Sequence, residues 1–213
     1  MNDETRDTGE SAAQRRPRQE RGRRRVDEIL DAAESLIVEV GATACSVQEL
    51  ARRAGSSVGS MYHFFPTKDA IFDALRVRYA AEGHAMAAEI HAQAAEWARL
   101  PFSEFVDRML ALMTDFMART PAYFVLNSME SGPAIKDAAA HVAVGEALMA
   151  LLSARDPSAS RADCSRRVEV LMVIGDGIVS QLGRAASTER PRYMDELRRA
   201  ILGYLGTYEE AQQ

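Results

Sequence analysis

The sequence predicts an all-α protein in which a small N-terminal helical domain precedes a larger helical body. Apolar residues recur every three to four positions along most of the chain, as they do in amphipathic helices. No segment shows the sustained two-residue alternation of a half-buried strand. Gly, Pro and capping residues also divide the chain into segments of helical length. These boundaries predict one helical domain over residues 23–70 and a second over residues 71–213.

Residues 1–22 are predicted to form a mobile arm before the first domain. They are rich in charged and small polar residues and contain hardly any large apolar side chain. Such a segment cannot offset the entropy that it loses on ordering. Arginines at positions 15, 16, 18, 21, 23, 24 and 25 form a basic run that leads into the first helix. The sequence leaves open whether this run is a solvated tail or contacts a nucleic acid.

The first two helices are predicted from the residues at their ends. Helical spacing of apolar residues places the first helix over residues 24–40, and Gly41 stops it because glycine readily adopts the left-handed conformation. Ser46 and Glu49 form a capping-box pattern, so a second helix is expected to start at residue 47. Gly55 is expected to end that helix.

The remaining helices are predicted by the same tests. Ser57 can cap a short third helix, and Thr67, after the break at Pro66, can cap a fourth helix that runs through at least residue 79. Further helices are predicted over residues 101–120, 123–130, 134–154, 161–182 and 192–209. Each is bounded by a turn-forming segment that contains Gly, Pro, Ser or Asp.

The charge distribution points to a nucleic-acid footprint at one end of the chain. The formal net charge of the 213 residues is -5, so the protein as a whole is not a polyanion binder. Residues 15–68 nevertheless contain ten Arg or Lys against seven Asp or Glu. Residues 81–213 contain thirteen Arg or Lys against eighteen Asp or Glu. A basic front on an acidic body is typical of nucleic-acid binding that is confined to one region.

The sequence favours neither catalysis nor metal binding nor membrane insertion. Residues 55–59 match a Gly-x-Ser-x-Gly pattern, but a hydrolase nucleophile needs a strand before it, and a capped helix is predicted there. The four histidines and the two cysteines, Cys45 and Cys164, lack metal-ligand spacing. No apolar stretch is long enough for a membrane span, and the first residues do not form a signal peptide. We therefore expect a cytoplasmic protein with reduced thiols and no cofactor.

The second and third predicted helices have the size and the turn of a helix-turn-helix. In this motif the second helix is short and exposes small polar residues at its N-terminus to base edges. Ser57, Val58, Gly59 and Ser60 occupy that first turn. Gly59 costs about 1 kcal/mol relative to Ala inside a helix, and a close approach of the backbone to DNA would explain it.

The TetR family of transcriptional regulators has a signature that resembles residues 50–69, LARRAGSSVGSMYHFFPTKD. The signature has Ala-Gly before the recognition helix, then Gly-Thr/Ser-Leu/Met-Tyr, an aromatic cluster, and Ser/Thr-Lys-Glu/Asp at the start of the fourth helix. The resemblance covers about residues 24–75. It implies a repressor that binds a palindromic operator as a homodimer and is released by a small ligand.

The resemblance also implies which residues contact DNA. The first turn of the third helix would face the bases, and polar residues around it would bind phosphates, with Lys68 aided by the positive N-terminus of its helix. The family often has Lys or another polar residue at the position of Val58, so we expect an apolar contact with a thymine methyl there. Phe64 and Phe65 are expected in the core of the small domain. The predicted DNA-binding residues are Ser46, Ser57, Val58, Gly59, Ser60, Tyr62, His63 and Lys68.

The larger body is expected to mediate dimerisation. One recognition helix reads only a few base pairs, so specificity requires two half-sites that are read by a two-fold dimer. The last two long helices each carry an apolar stripe and, by similarity to the family, would form a four-helix bundle with the partner. The other possibility is that both stripes are intramolecular core. The predicted interface residues are Leu171, Ile178, Leu182, Leu197, Ile201 and Tyr204.

The body is also expected to bind a small, largely apolar effector. Met fills irregular space and adapts to ligands, although Met and Phe at helical spacing are also typical of ordinary core. Asp176 lies on an otherwise apolar helix and could orient a ligand or form a hydrogen bond between helices. The resemblance implies that a ligand under the fourth helix shifts that helix and changes the spacing of the recognition helices. The predicted ligand-binding residues are Phe105, Met109, Met113, Phe116, Phe124, Met172 and Asp176.

The expected partners are double-stranded operator DNA, a small-molecule effector and a second copy of the chain. One alternative is a DNA-binding regulator without a small-molecule response, which predicts a solid core. A second alternative, an all-α enzyme, would need clustered titratable groups, whereas the body has isolated ones such as Glu130, Glu146 and Asp176. The sequence does not decide between repression and activation.

Overall fold

The computed structural model describes residues 12–128, 138–185 and 188–210. These residues form nine helices and no strand, so the predicted all-α fold is confirmed. The helices are α1 (Ala12–Val40), α2 (Val47–Arg53), α3 (Val58–Phe64), α4 (Lys68–Trp97), α5 (Phe102–Arg119), α6 (Tyr123–Ser128), α7 (Ala138–Arg155), α8 (Arg161–Arg184) and α9 (Arg190–Glu210).

The predicted capping residues define the starts of α2, α3 and α4. The side-chain oxygen of Ser46 accepts a hydrogen bond from the Glu49 amide at 3.2 Å, and Ser57 accepts one from the Ser60 amide at 3.1 Å. Thr67 accepts from the amide of residue 70 at 3.1 Å. Each cap satisfies one of the backbone donors that a helix N-terminus leaves without an intrahelical partner. The predicted starts of these helices are therefore confirmed.

The first helix begins at Ala12, twelve positions before the predicted residue 24, so the backbone of residues 12–22 is helical where the sequence analysis expected a mobile arm. That prediction considered only the apolar surface that the segment can bury. A helix that is already nucleated by packed residues adds one hydrogen bond for each residue it gains, and Arg, Gln and Ala are good helix formers. The extension forms even though Pro17 removes one backbone donor from it.

The N-terminal core is formed by α1, α2, α3, the first three turns of α4 and the short helix α6. Ile29, Ile37, Leu50, Met61 and Leu75 are fully or almost fully buried in it. The side chains of Ala122 and Leu126 belong to the same core. The sequence analysis assigned the segment that contains α6 to the larger body, and in the structure α6 contacts both the N-terminal core and helix α8 of the body.

The 30-residue helix α4 passes through both cores. Its residues up to Tyr79 lie in the N-terminal core, and those from Ala87 to Trp97 lie in the core of the body. The predicted domain boundary at residues 70 and 71 therefore falls inside a continuous helix, and the change of core occurs further along the same helix. A rigid element that is shared by two cores can transmit a displacement from one to the other.

The core of the body is formed by α4, α5, α7, α8 and α9. Helices α4 and α7 approach closely at Gly83, where a Cβ atom would lie 3.1 Å from the Cβ atom of Ala140. Arg155 joins three parts of this body, since its guanidinium donates to the Glu209 carboxylate at 2.6 Å and to the Leu100 carbonyl at 2.9 Å. Within the described ranges no helix combines the length and apolarity that crossing a membrane requires.

Candidate nucleic-acid interface and internal cavity

The turn between α2 and α3 has the geometry of a helix-turn-helix. Gly55 has a φ of +56°, a conformation that costs a residue with a Cβ atom about 1 kcal/mol or more. The guanidinium of Arg25 on α1 donates to the carbonyls of Ala54 at 3.0 Å and Gly55 at 2.9 Å. These hydrogen bonds from α1 hold the turn in place and so fix the orientation of α3.

Helix α3 is anchored on one side and exposed on the other. Met61 is fully buried, and Phe65, which follows the helix, is also buried, so the prediction that Phe65 belongs to the core is confirmed. Phe64 is half-buried against the same core. Tyr62 is 49% exposed, although large aromatic residues usually bury more of their surface. The exposed residues of this face are Ser57, Gly59, Ser60, Tyr62 and His63.

Two of the predicted DNA contacts are already partly used within the protein. Val58 is half-buried and packs against the N-terminal core, so only part of it is available for a thymine methyl. The Nζ atom of Lys68 donates to the Ala42 carbonyl at 3.5 Å and lies 5.5 Å from the centre of the Phe72 ring. Ser46 is exposed at the start of α2. Six of the eight predicted residues are therefore exposed, and Val58 and Lys68 are half-buried.

The position of Gly59 is not explained by packing. It is exposed on the first turn of α3, and a Cβ atom added there would meet no other atom within 4 Å. Its backbone conformation does not have a positive φ. The fold therefore imposes no requirement for glycine at this position, whereas a close approach of DNA would impose one.

The arginines of α2 are engaged in ion pairs. Arg53 donates to Glu39 at 2.5 Å and to Glu49 at 3.2 Å, which ties α2 to α1. Arg52 donates to Glu49 at 2.6 Å. The hydrogen bonds from Arg52 and then Arg53 lower the pKa of Glu49 to about 2, so this carboxylate is ionised at neutral pH. These pairs brace the helix that supports α3.

An internal cavity of about 190 Å³ lies between α4, α5, α7 and α8, with α9 closing one side. Its wall is mostly apolar. It includes five of the seven residues predicted to bind a ligand, namely Met109, Met113, Phe116, Met172 and Asp176. The structure thus brings together side chains from helices that are far apart in the sequence.

Phe105 stays a predicted ligand-binding residue that the structure does not place at the cavity. Phe105 has no exposed surface and does not line the cavity. Instead the guanidinium of Arg155 lies 4.6 Å from the centre of its ring. Phe105 shares the helical period of the cavity residues on α5, but it lies near the other end of that helix. Phe124 lies on α6, and its side chain is outside the described part of the structure.

Besides the phenols of Tyr79 and Tyr123, the polar residues Arg76, His141 and Asp176 line the cavity. The Nε2 atom of His141 lies 3.9 Å from Oδ2 of Asp176, so α7 and α8 face each other through a polar pair. Arg76 donates to Asp73 at 2.7 Å on its own helix. The sequence analysis missed Arg76 and His141. His141 could have been found in the same way as Asp176, because each is an isolated polar residue in a mainly apolar helix.

Tyr79 connects the cavity with the N-terminal domain. Its ring lines the cavity, and its hydroxyl donates to Oε1 of Glu34 on α1 at 2.5 Å. Burial raises the pKa of the Tyr79 phenol, and the hydrogen bond with Glu34 raises it further, so the hydroxyl remains a donor. The ring also packs edge-to-face on Tyr123, which packs in the same way on Phe116. The same side chain therefore contacts both the cavity and α1.

A second link between α4 and α1 lies next to the first. Arg78 donates to Asp31 at 2.7 Å and lies 3.6 Å from Asp27. Its guanidinium is about one third exposed, so these contacts are weaker than the buried Tyr79–Glu34 pair. Together the two links fix the rotation of α4 relative to α1, and α1 in turn holds the helix-turn-helix through Arg25.

Most of the predicted dimer-interface residues are buried within one chain. Leu171, Leu182, Leu197 and Ile201 have at most 7% of their surface exposed, and three of them line the cavity. These four stay predicted interface residues, but side chains that already pack inside one protomer leave little surface for a partner. Ile178 and Tyr204 are half-buried and stay predicted interface residues. The outward face of the two helices carries Val173, which is 70% exposed, with Gly177, Ala200 and Gly203.

The described residues contain no group of three or more His, Cys, Asp or Glu side chains that could hold a metal ion. Both cysteines are buried free thiols.

Two family models match the chain. A model described as "Bacterial regulatory proteins, tetR family" matches residues 29–75. A model described as "Tetracyclin repressor-like, C-terminal domain" matches residues 101–205. No functionally curated protein matches the chain. The first model covers the helix-turn-helix, and the second covers most of the cavity-forming body.

Several solved structures are similar over almost their whole length. A TetR-family transcriptional regulator from Streptomyces coelicolor has a TM-score of 0.56 and 27% identity, and the match covers 86% of this chain and 98% of that one. The regulator PfmR from Thermus thermophilus has a TM-score of 0.57 and 20% identity, over 81% and 93% of the two chains. The multidrug binding protein EbrR, in complex with malachite green, has a TM-score of 0.55 and 22% identity, over 84% and 96%. The last two likenesses concern the fold alone.

Proposed function

Since this transcriptional regulator belongs to the TetR family of bacterial regulatory proteins, we propose that it represses transcription as a homodimer that a small ligand releases from DNA. The observation that carries this proposal is the course of α4. The helix begins four residues after the end of α3 and then forms one wall of the cavity. A ligand in the cavity and an operator at α3 therefore act on the same rigid element. The protein would act in the cytoplasm, where a bacterial chromosome lies.

The exposed face of α3 supports the reading of a DNA half-site. Its first turn presents Ser57, Gly59 and Ser60, whose small size allows the backbone to approach the major groove. Tyr62 and His63 follow, and both can donate hydrogen bonds to phosphates. One such helix reads too few base pairs for specificity, so we propose a palindromic operator whose half-sites lie about 34–36 Å apart.

We propose that the dimer forms through the outward face of α8 and α9. Because the predicted leucine stripes face inward, the available surface is the one that carries Val173, Gly177, Ala200 and Gly203. Small residues let two helices approach closely, and Val173 supplies apolar surface that water covers in the monomer. Two helices from each protomer would then form a four-helix bundle.

The cavity supports a small, largely apolar effector. Its polar residues are few, and His141 and Asp176 lie together where they can fix the orientation of a ligand. Its volume is below the range of about 300–1,000 Å³ that is typical of drug-sized ligands. We therefore expect either a compact effector or displacement of the flexible side chains of Met86, Met109, Met113 and Met172. The alternative of a regulator without ligand response predicted a solid core, and the cavity favours the ligand-responsive proposal over it.

Selection of duplexes from random DNA with purified protein at moderate salt tests the proposal. We expect enrichment of a palindromic sequence and a complex that contains two protomers. An effector is then sought by thermal-shift screening, because a ligand that binds only the folded state raises the unfolding temperature. A folded protein that enriches no sequence would contradict the proposed regulator.

The Tyr62→Ala variant is expected to bind the operator about 10–100-fold more weakly, since a hydrogen bond to a charged group contributes about 1.5–3 kcal/mol. Its fold should be unchanged, because Tyr62 is 49% exposed and lies outside the core. Fluorescence anisotropy with the selected duplex measures the affinity. The matched control is Val77→Ala, which shortens a 71% exposed side chain on α4 and should bind DNA as the wild type does. Equal weakening in both variants would mean that Tyr62 has no specific role.

The Gly59→Ala variant is expected to change stability and DNA binding in opposite directions. A Cβ atom there meets no neighbour in the protein, so the free energy of unfolding should rise by up to about 1 kcal/mol. Operator affinity should fall, because the added methyl group stands between the α3 backbone and the bases. Urea unfolding and anisotropy measure the two effects. A variant that is stabilised and binds the operator normally would show that DNA does not approach this position closely.

A further inference from the structure

The polar pair in the cavity wall has a geometry that one oxygen atom of a ligand can complete. Nε2 of His141 on α7 and Oδ2 of Asp176 on α8 are 3.9 Å apart. This distance is too long for a direct hydrogen bond, which joins such atoms at about 2.7–3.2 Å. The negative charge of the carboxylate favours the imidazole tautomer that carries its proton on Nε2. An oxygen placed about 2.8 Å from each atom can therefore accept from His141 and donate to Asp176.

The pair is accessible and has open space beside it. Each of the two side chains keeps 33% of its surface exposed. Gly175, which precedes Asp176, also lines the cavity, and a Cβ atom there would meet no other atom within 4 Å. The two oxygens of a carboxylate offer about four acceptor positions. Asp176 can therefore bind a ligand and keep its contacts within the protein.

The charges in the cavity wall favour a neutral ligand. Asp176 contributes a carboxylate, and Arg76 on α4 contributes a guanidinium that donates to Asp73 at 2.7 Å. A charged ligand of either sign would meet a like charge as well as an opposite one. It would also lose its hydration in a mostly apolar cavity, where the burial of a charge is costly. A hydroxyl group avoids both costs, and it can donate and accept at the same time.

The volume and the apolar wall of the cavity fit one aromatic ring. An apolar cavity of about 150 Å³ binds benzene, and this cavity has about 190 Å³. The wall includes the thioether side chains of Met86, Met109, Met113 and Met172. Sulfur makes favourable contacts with the edges of aromatic rings, and the unbranched methionine side chain adjusts to the shape of a ligand. The volume beyond that of one ring is sufficient for a hydroxyl group and a small substituent.

We propose that the ligand of this cavity is a compact, neutral phenol, with one aromatic ring and one hydroxyl group that is held by His141 and Asp176. The proposal rests on the proposed ligand-responsive function and names the chemical class of the effector. The hydroxyl donates to Oδ2 of Asp176 and accepts from Nε2 of His141, while the ring lies among the methionines. The ligand thus joins α7 to α8 where the protein's own atoms are too far apart for a hydrogen bond.

Calorimetric titration of the full-length protein with four probes of the same ring size tests the proposal. The probes are p-cresol, toluene, p-toluate and p-methylbenzylammonium. They carry a neutral hydroxyl, no polar group, a negative charge and a positive charge, respectively. We expect p-cresol to bind about 10–100-fold more tightly than toluene, which is the effect of a hydrogen bond to a charged group. Both charged probes should bind more weakly than p-cresol.

The ratio of the p-cresol affinity to the toluene affinity separates hydrogen bonding from cavity shape, because a change of shape affects both probes alike. Asp176→Leu replaces the carboxylate by an apolar group of similar size, so the ratio should fall toward one. His141→Leu should also lower the ratio, and it provides the test if Asp176→Leu does not fold. The matched control is Asp115→Leu, which removes the same charge from an exposed position of α5 and should keep the wild-type ratio.

Three results would overturn the proposal: a charged probe that binds more tightly than p-cresol, equal affinities for p-cresol and toluene, or no binding of any probe. An unchanged ratio in both cavity variants would also overturn it, because the hydroxyl would then lie elsewhere. Failure of the proposed function is distinguishable, since it is measured with the selected duplex. If p-cresol binds as expected but leaves operator affinity unchanged, the ligand class is confirmed and the release of DNA by the ligand is contradicted.

Discussion

Replacing Phe105 by Ala is expected to lower the free energy of unfolding by about 3–5 kcal/mol, the usual cost of removing a buried aromatic side chain. Phe105 has no exposed surface and lies in the core of the body. Its ring also supports the guanidinium of Arg155, which binds the Leu100 carbonyl and Glu209. The substitution therefore loosens the junction of α5, α7 and α9 in addition to leaving a void.

Urea unfolding or a thermal melt measures this effect. For a chain of this length each kcal/mol corresponds to about 2–4 °C in Tm, so a fall of about 6–20 °C is expected. Met113→Ala serves as the comparison, because Met113 is half-buried on the same helix and faces the cavity. It should cost less stability and should change effector binding. If the Phe105→Ala protein has normal stability but no longer binds the effector, Phe105 contacts the ligand and is not simply part of the core.

The N-terminal domain could be predicted in detail because its signals are local. Ser46, Ser57 and Thr67 cap their helices through residues three positions further along, and Gly55 sets the turn by its own backbone conformation. Information of this kind is contained in a few consecutive residues. For that reason the starts of three helices and the exposure of the small polar residues on α3 followed from the sequence alone.

The body was predicted less completely because helical periodicity shows that a face is buried and does not show what covers it. Leu171 and Leu197 form regular stripes, which suited a dimer interface as well as an intramolecular core. The structure places both in the wall of the cavity. The same ambiguity placed Phe105 with Met109 and Met113, although only the last two reach the cavity.

The contacts that join the two functional regions were beyond sequence reasoning. Glu34 and Tyr79 are 45 positions apart and lie on helices assigned to different domains. Arg78 and Asp31 are separated by 47 positions. No periodicity or motif connects such pairs, since their proximity depends on how α4 crosses α1. The assignment of α6 to the N-terminal core depends on the same tertiary packing.

The structure suggests how a ligand could weaken DNA binding through these contacts. The ring of Tyr79 is both a part of the cavity wall and the donor to Glu34. A ligand that displaces Tyr123 or Phe116 moves the ring that packs on Tyr79. Any resulting shift of α4 reaches α1, and α1 holds the turn before α3 through Arg25. If the effector and the operator favour different positions of α4, each weakens the binding of the other, and by the same factor.

The Tyr79→Phe variant is expected to lose most of the coupling between effector and operator. The substitution removes only the hydroxyl, so the ring still fills its place in the cavity wall while the hydrogen bond to Glu34 disappears. In the wild type we expect operator DNA to weaken effector binding by about 5–150-fold, which corresponds to about 1–3 kcal/mol of coupling. In the variant this factor should fall toward one. The measurement is the effector Kd with and without the selected duplex, for an effector found by thermal-shift screening.

Two further variants separate the role of the hydrogen bond from a general loss of stability. Tyr208→Phe removes a hydroxyl from α9, where the ring packs against Arg167 at 4.0 Å and touches neither the cavity nor α1. It should keep the full coupling. Glu34→Gln leaves an acceptor for the Tyr79 hydroxyl and should keep part of it. Because reciprocity requires the effector to weaken operator binding by the same factor, the two titrations must agree. Unchanged coupling in Tyr79→Phe would mean that the signal reaches α1 by another route, of which the Arg78 contacts with Asp27 and Asp31 are the nearest.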